Sequence, residues 1–293
     1  MDLQIASGAP SRKLSLKCLD RLPTLSPMTT QLLSTLARGN CEVVELTAIV
    51  EKDAVLSAQI LRLANSATYG RSQPINSVRH AISMVGVGAM RKFALGASIS
   101  NLFSRFRLGP SFSMGRFNLH SVATGILVEL LSDEIEFEQS DAAFIAGMLH
   151  DLGKLLLAVS LPKHYEEILA IVTARGIPLV ECEREVLGID HAELSALAIS
   201  RWDLAEPIRW AALCHHEPER ATALEHTRPG RLSLSLAVHG ADAFINGLGM
   251  SVLPPQALGG EAPSLDFPGF AFSKERVITR LEAELKGLAD FFR

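Results

Sequence analysis

Three polar side chains, His150, Asp151 and Lys154, interrupt the apolar stretch Phe144-Ile145-Ala146-Gly147-Met148-Leu149-His150-Asp151-Leu152-Gly153-Lys154-Leu155-Leu156-Leu157. The pattern predicts one helix over 139–158. Successive helical residues stand about 100° apart, so these three side chains share one sector. Ile145, Met148, Leu149, Leu152, Leu155 and Leu156 surround them with hydrocarbon. A helix apolar nearly all round belongs in a core, where a carboxylate costs several kcal/mol unless it is paired or bound to a metal. Two chemistries are open. Asp151 and Lys154 can form an i,i+3 pair while His150 bonds a carbonyl, or His150 and Asp151 are two ligands of one cation.

Other residues of the same chemical types are spread over residues 120–242. His120 lies on a helix predicted over 113–132. His191 opens a helix over 191–202, with Asp190 as N-cap and Glu193 placed to complete a capping box. His215-His216-Glu217-Pro218 closes a helix over 206–216, and Asp242 sits on one over 231–247. Each has a plain alternative. His120 can be a core or surface histidine and His191 the first residue of a capped helix. His215 can complement the helix dipole, His216 can be merely exposed, and Asp242 can pair with an arginine. Taken together, His120, His150, Asp151, His191, His215, His216 and Asp242 are the donor types that suit Zn, Fe, Mn or Ni. Two such ions a few ångström apart suit phosphoester hydrolysis. Lys154, one turn from His150, is placed to steady a phosphate. His80, His164, His226 and His239 fit no pattern and are assigned no role.

The elements that must position these groups all read as helices. Residues 1–19 form a polar lead. Residues 20–110 hold roughly five helices joined by short connections, with Ser26-Pro27 as one start and Asp53 as another. Gly109-Pro110-Ser111 marks a lobe boundary, and 111–250 carries the His/Asp residues. Further helices are expected at 163–175 and 178–187, neither of which supplies a His or Asp to the set. Residues 251–272 are rich in Pro and Gly and read as a linker. A final amphipathic helix spans 273–292, with Val277, Leu281, Leu285, Leu288 and Phe292 on one side. That stripe needs a partner, in this chain or in a second protomer, so both a monomer and a homodimer are compatible with it.

At 293 residues, with 48% hydrophobic and only 6% aromatic residues, the chain has ample material for a core of Leu, Ala, Ile and Val. The net charge of −4 and pI of about 6.1 argue against nonspecific nucleic-acid binding. The basic set Arg62, Arg71, Arg79, Arg91 and Lys92 is the only candidate for it. Cys18, Cys41, Cys182 and Cys214 show no CxxC spacing and read as reduced thiols. No uninterrupted apolar run reaches the roughly 20 residues of a membrane span, and the N-terminus lacks signal-peptide character. A cytoplasmic protein without membrane attachment is expected.

The order His120, His150-Asp151, Asp242 resembles the HD superfamily of metal-dependent phosphohydrolases. A fuller set resembles the HDOD domain, a bacterial signalling module. It comprises Leu22-Pro23, Lys52-Asp53-Ala54-Val55-Leu56-Ser57, Ile60-Leu61-Arg62-Leu63-Ala64-Asn65-Ser66-Ala67-Thr68-Tyr69-Gly70, Ile75-Asn76-Ser77, Ala81-Ile82-Ser83-Met84-Val85-Gly86, the His150-Asp151 stretch, Glu185-Val186-Leu187-Gly188-Ile189-Asp190-His191, Trp202-Asp203-Leu204 and His215-His216-Glu217-Pro218. The resemblance spans about 20–250. It implies an all-α, two-lobed helical bundle, with an N-terminal HDOD-type lobe and an HD-like lobe, working as a regulatory protein through a signalling partner.

Phosphodiesterases of the HD-GYP group, which cleave cyclic di-GMP, carry Gly-Tyr-Pro after their His-His-Glu. Here Pro218-Glu219-Arg220-Ala221 follows, and Gly-Tyr-Pro occurs nowhere. The seven metal-ligand positions of that group are nevertheless matched. Arg116 stands where some of those enzymes carry an acidic ligand for a third metal. The expectation is therefore a signalling module with an HD-type metal site and no general phosphodiesterase activity. The alternative is a phosphohydrolase acting on a nucleotide or cyclic dinucleotide, with Asp151 and Lys154 in catalytic roles.

Overall fold

In a computed structural model, residues 12–66, 73–225, 227–253, 264–286 and 288 are described. The chain is an all-α, two-lobed bundle, with no strand among these residues and one isolated bridge, Phe137 to Leu232. A short α1 (Arg12–Ser15), which bonds Gly188 and Leu187 far along the chain, precedes α2 (Pro27–Ala37), α3 (Val43–Val50), α4 (Ala54–Ala64), α5 (Val78–Val85) and α6 (Val87–Phe103). Then follow α7 (Met114–Glu134), α8 (Ala143–Leu149), α9 (Leu152–Ser160), α10 (Pro162–Arg175) and α11 (Leu179–Leu187). The chain continues through α12 (His191–Arg201), α13 (Glu206–Cys214), α14 (Leu234–Gly247) and α15 (Lys274–Leu285). One hydrophobic core runs through both lobes, from Cys18 to Leu288.

The helix starts follow from local chemistry. Ser26, Asp53, Ser77, Ser113, Asp190, Ser233 and Ser273 each cap a helix with a side-chain oxygen that accepts from a backbone N–H of the first turn, satisfying a donor that has no partner within the helix. At Asp190 only half of the expected capping box forms. Asp190 accepts from Glu193 N at 2.8 Å, but the Glu193 carboxylate pairs with Arg12 instead of reaching back.

The expected helix over 139–158 is two helices. α8 stops at Leu149 and α9 begins at Leu152, with Asp151 in the sparsely populated bridge region at φ −99°, ψ 10°. The cause lies in the His150 ring, whose Nδ1 donates to the Gly147 carbonyl at 2.7 Å and ties off the helix end. His150 and Asp151 thus point from a joint rather than from a continuous helical face. Within Ser140–Ser160 an 18-residue window still has the length and mean hydropathy, 1.6, of a membrane-crossing segment, yet 94% of that window is buried inside the protein's own body.

Three further expectations change. Residues 12–19 of the polar lead are packed against the rest of the chain: Cys18 and Leu19 are buried, and Ser15 Oγ donates to Leu187 O at 2.9 Å. The expected linker is partly packed. Leu265 and Phe267 are buried, and the Phe267 ring lies where a Cβ on Gly240 would sit; 254–263 fall outside the described residues. The apolar stripe of α15 is covered by α7 of the same chain, with Val277, Leu281 and Leu285 buried and Arg280 paired to Asp133 at 2.7 Å. It gives no reason to invoke a second protomer. Phe292 lies outside the described residues.

Candidate metal centre

Two close helix pairings set the position of the centre. α7 crosses α8 at two glycines, where a Cβ on Gly147 would lie 2.8 Å from Gly125 Cα and 2.9 Å from Thr124 O. Only bare backbone permits that approach, and it brings the rings of His120 and His150 to a centroid distance of 5.3 Å. On the other side α9 presses against α12 through Gly153. A Cβ there would collide with the His191 carbonyl, and Gly153 N donates to Ser195 Oγ at 2.7 Å. α13 ends at His215 as α8 ends at His150, with Nδ1 donating to the carbonyl three residues back, Ala212 O, at 2.7 Å.

All seven His and Asp residues singled out in the sequence converge. His120, His150, Asp151 and Asp242 form one buried group, and His191, His215 and His216 another; within each, the ligand atoms lie within 4.8 Å of one another. His120 Nε2 stands 3.1 Å from Asp242 Oδ1 and 3.4 Å from Asp151 Oδ2. His150 Nε2 stands 3.4 Å and 3.5 Å from the same two oxygens. His191 Nε2 and His216 Nε2 are 2.8 Å apart. Asp151 joins the groups, since its other oxygen, Oδ1, faces His191 Nε2 at 3.4 Å and His215 Nε2 at 3.7 Å.

The hydrogen bonds behind the rings fix their chemistry. His120, His150 and His215 each place Nδ1 on a backbone carbonyl, of Met250, Gly147 and Ala212 respectively. A carbonyl only accepts, so Nδ1 carries the proton and Nε2 of the neutral ring turns a lone pair inward. His191 Nδ1 meets the Glu183 carboxylate at 2.6 Å, with the same result.

Burial lowers the pKa of His215, and the neighbouring His216 and His150 add to the effect. Burial and His191 take His216 down to about 3. Both rings are therefore neutral. Burial acts on His120 too, but its bonds to Asp151 and Asp242 outweigh it and raise that group to about 9. Burial opposes ionisation of Asp242, yet His120 and His150 hold it well below the usual carboxylate range. Asp151 is likewise lowered against burial by His150 and Lys154.

This donor set fits a divalent cation. Imidazoles and ionised carboxylates converge, and two of the inward atoms, Asp151 Oδ1 and His215 Nε2, are buried without a hydrogen-bond partner among the described residues. Such atoms are costly unless something fills the space between them. The Lys154 ammonium bonds Asp151 Oδ2 at 2.5 Å and is buried. The i,i+3 pair and the convergent cluster therefore coexist. Arg116 donates through Nε to Ser251 O at 3.1 Å. The basic set considered for nucleic acid is not a surface patch, because Arg91 and Lys92 are buried and Lys92 is paired with Glu129 and Glu284; Arg71 lies outside the described residues.

The sequence profile of the HDOD domain matches residues 22–218. The chain belongs to the HDOD family. The fold is shared with an HDOD domain protein of unknown function from Geobacter sulfurreducens, at 21% identity and TM-score 0.70 over 96% of this chain and 97% of that one. A Shewanella amazonensis protein provisionally described as a phosphohydrolase is 21% identical, with TM-score 0.65 over 95% of this chain and 96% of that one. A Marinobacter aquaeolei protein provisionally described as a signal transduction protein is 18% identical, with TM-score 0.70 over 94% of this chain and 60% of that one. An uncharacterized protein of Treponema pallidum is 22% identical over 204 residues; the match takes in 68% of this chain and 38% of that protein.

Several groups in this HDOD centre escaped the sequence reading. Glu183, on the helix given no His or Asp role, is fully buried and also accepts from His191 N at 2.8 Å. Its signal was its place in the apolar stripe Leu179, Glu183, Val186, Leu187. His239 Nδ1 donates to His215 O at 2.6 Å, and Ser195 Oγ donates to His191 O at 2.8 Å. The bond from Met250 O to His120 spans 130 residues and left no local signal.

Proposed function

We propose that this HDOD chain is a regulatory, signal-transducing protein that acts by contact with a partner protein, and that its His/Asp cluster holds divalent metal without general phosphodiesterase turnover. The observation that carries this reading is the closure of the cluster. His120, His150, Asp151, His191, His215 and Asp242 are all buried. The Lys154 ammonium is bonded to Asp151 and not held out toward a ligand. The backbone at Met250 and Ser251 is fastened beside the cluster by His120 and Arg116. The provisional description of the Marinobacter protein as a signal transduction protein agrees with it. Four free cysteines suit a cytoplasmic setting.

A second reading has its own support. The donors form two groups sharing Asp151, the arrangement that a phosphohydrolase acting on a nucleotide or cyclic dinucleotide would need, and the Shewanella protein's provisional description points the same way. Bound metal would supply Lewis-acid polarisation of a phosphoryl oxygen and a nucleophile at neutral pH. The chain's own contribution would be to hold Nε2 lone pairs inward, to keep Asp151 and Asp242 ionised and to keep bulk water out. Metal-loaded protein incubated with nucleotides, cyclic dinucleotides and simple phosphodiesters separates the two. The regulatory reading predicts no steady turnover. Turnover that disappears in Asp151→Ala would replace it with the hydrolase.

A further inference from the structure

The two halves of the cluster differ in charge. The half made by His120, His150, Asp151 and Asp242 contains two carboxylates. The half made by His191, His215 and His216 has none of its own and borrows Asp151 Oδ1. Even that loan is reduced, because Lys154 is bonded to the other oxygen of the same carboxylate. Three imidazoles, which contribute no negative charge, hold a divalent ion in a buried site less firmly than a set that includes anions.

Directly behind His191 lies Glu183, fully buried on α11. Its Oε2 accepts from both His191 Nδ1, at 2.6 Å, and His191 N, at 2.8 Å. No Lys or Arg side chain bonds it among the described residues, and Oε1 has no hydrogen-bond partner. Lys154 lies within electrostatic reach but is engaged with Asp151. A buried carboxylate in this position calls for positive charge nearby. Among the described residues, its side-chain bond leads through the imidazole to Nε2, at the centre of the cluster. His120, His150 and His215, by contrast, rest on neutral carbonyls.

We propose that Glu183 is a positioning residue for the His191–His215–His216 half: it fixes the His191 tautomer and orientation and supplies, through the ring, the negative charge that this half lacks. The proposal rests on the metal-holding reading above. A carboxylate behind a histidine raises the ring's basicity as a ligand, and loss of such a partner typically weakens metal affinity about 10–100-fold. The effect falls on one half only, because Glu183 touches His191 and none of the other cluster histidines.

The test is metal stoichiometry and affinity of the full-length chain, titrated with Zn²⁺ and with spectroscopically visible Co²⁺, in the wild type, Glu183→Gln and Glu183→Asp. Glu183→Gln keeps an acceptor for His191 but removes the charge. The expected result is an unchanged first site, a second site weakened about tenfold or more, and loss of one set of Co²⁺ ligand-field bands. Glu183→Asp, which keeps the charge at shorter reach, should recover part of the affinity. If circular dichroism shows that Glu183→Gln does not fold, Glu183→Asp carries the test through a selectively weakened second site. Two sites of wild-type affinity in the variant would overturn the proposal while leaving the metal reading intact. A wild type that binds neither ion would remove the reading beneath it, a result visible before any variant is compared.

Discussion

Asp151 Oδ1 and His215 Nε2 face each other across 3.7 Å, both buried and both without a hydrogen-bond partner among the described residues. A proton on either atom would let them bond at ordinary length, but burial and its neighbouring imidazoles keep His215 neutral while His150 and Lys154 keep Asp151 ionised. The gap is where a cation satisfies both.

Asp151→Ala should therefore act twice. It removes the carboxylate common to both halves and leaves Lys154 buried without a partner. Breaking a buried pair from one side costs about 3–5 kcal/mol, to be read by urea unfolding of metal-free protein. Metal binding should be lost as well, which equilibrium dialysis checks. A variant of wild-type stability would show that Lys154 finds other charge.

Metal uptake should release a proton from His120. That group, raised from 6.5 to about 9 by Asp151 and Asp242 against the effect of burial, is protonated in metal-free protein at pH 7.5. Titration with metal in weakly buffered solution should free about one proton per chain from it, and that fraction should shrink above pH 9. The sign of the stability effect follows. A raised pKa contributes stability that is fully present below pH 6.5 and lost as pH rises through about 9. His216, depressed to about 3, contributes in the opposite sense: stability is present above 6.5 and lost as pH falls toward 3. Metal-free protein should lose stability on both sides of a neutral optimum, and the alkaline loss should be absent in His120→Ala.

Gly153→Ala is the smallest change expected to disturb the centre without touching a ligand. The added Cβ meets the His191 carbonyl, which is backbone and cannot rotate away. Overpacking of this kind costs about 1–3 kcal/mol, and α9 and α12 must part to relieve it. Both a lower denaturation midpoint and weaker metal binding are expected; an unchanged variant would mean that the two helices separate freely.

The helical class and the caps at Ser26, Asp53 and Asp190 were legible because each rests on residue type and short-range spacing, whereas the convergence of seven widely separated His and Asp side chains was legible only through their shared donor chemistry and the resemblance to HD-type enzymes. The break at His150 was not. Its cause is a side chain bonding to its own helix's carbonyl, which the apolar periodicity of 139–158 cannot report. Glu183 was not legible for a different reason: a single Glu among the charges of 178–187 reads as a solvated residue, and its bonds to His191 join two helices that no local pattern connects. The partner of α15 was undetermined because an amphipathic stripe states that a face is covered, not by what.

That last point is also testable. Leu281 is almost fully buried between α15 and α7. Truncation to Ala should cost about 2–5 kcal/mol by thermal or urea unfolding, with no dependence on protein concentration, since the covering surface belongs to the same chain. A concentration-dependent midpoint would point to a second protomer instead.

Elemental analysis of freshly purified protein, run beside Asp151→Ala, tests the metal-holding centre most directly. The expected result is stoichiometric Fe, Mn, Zn or Ni in the wild type and none in the variant. A folded wild type free of all four, and unable to take them up on dialysis, would contradict it.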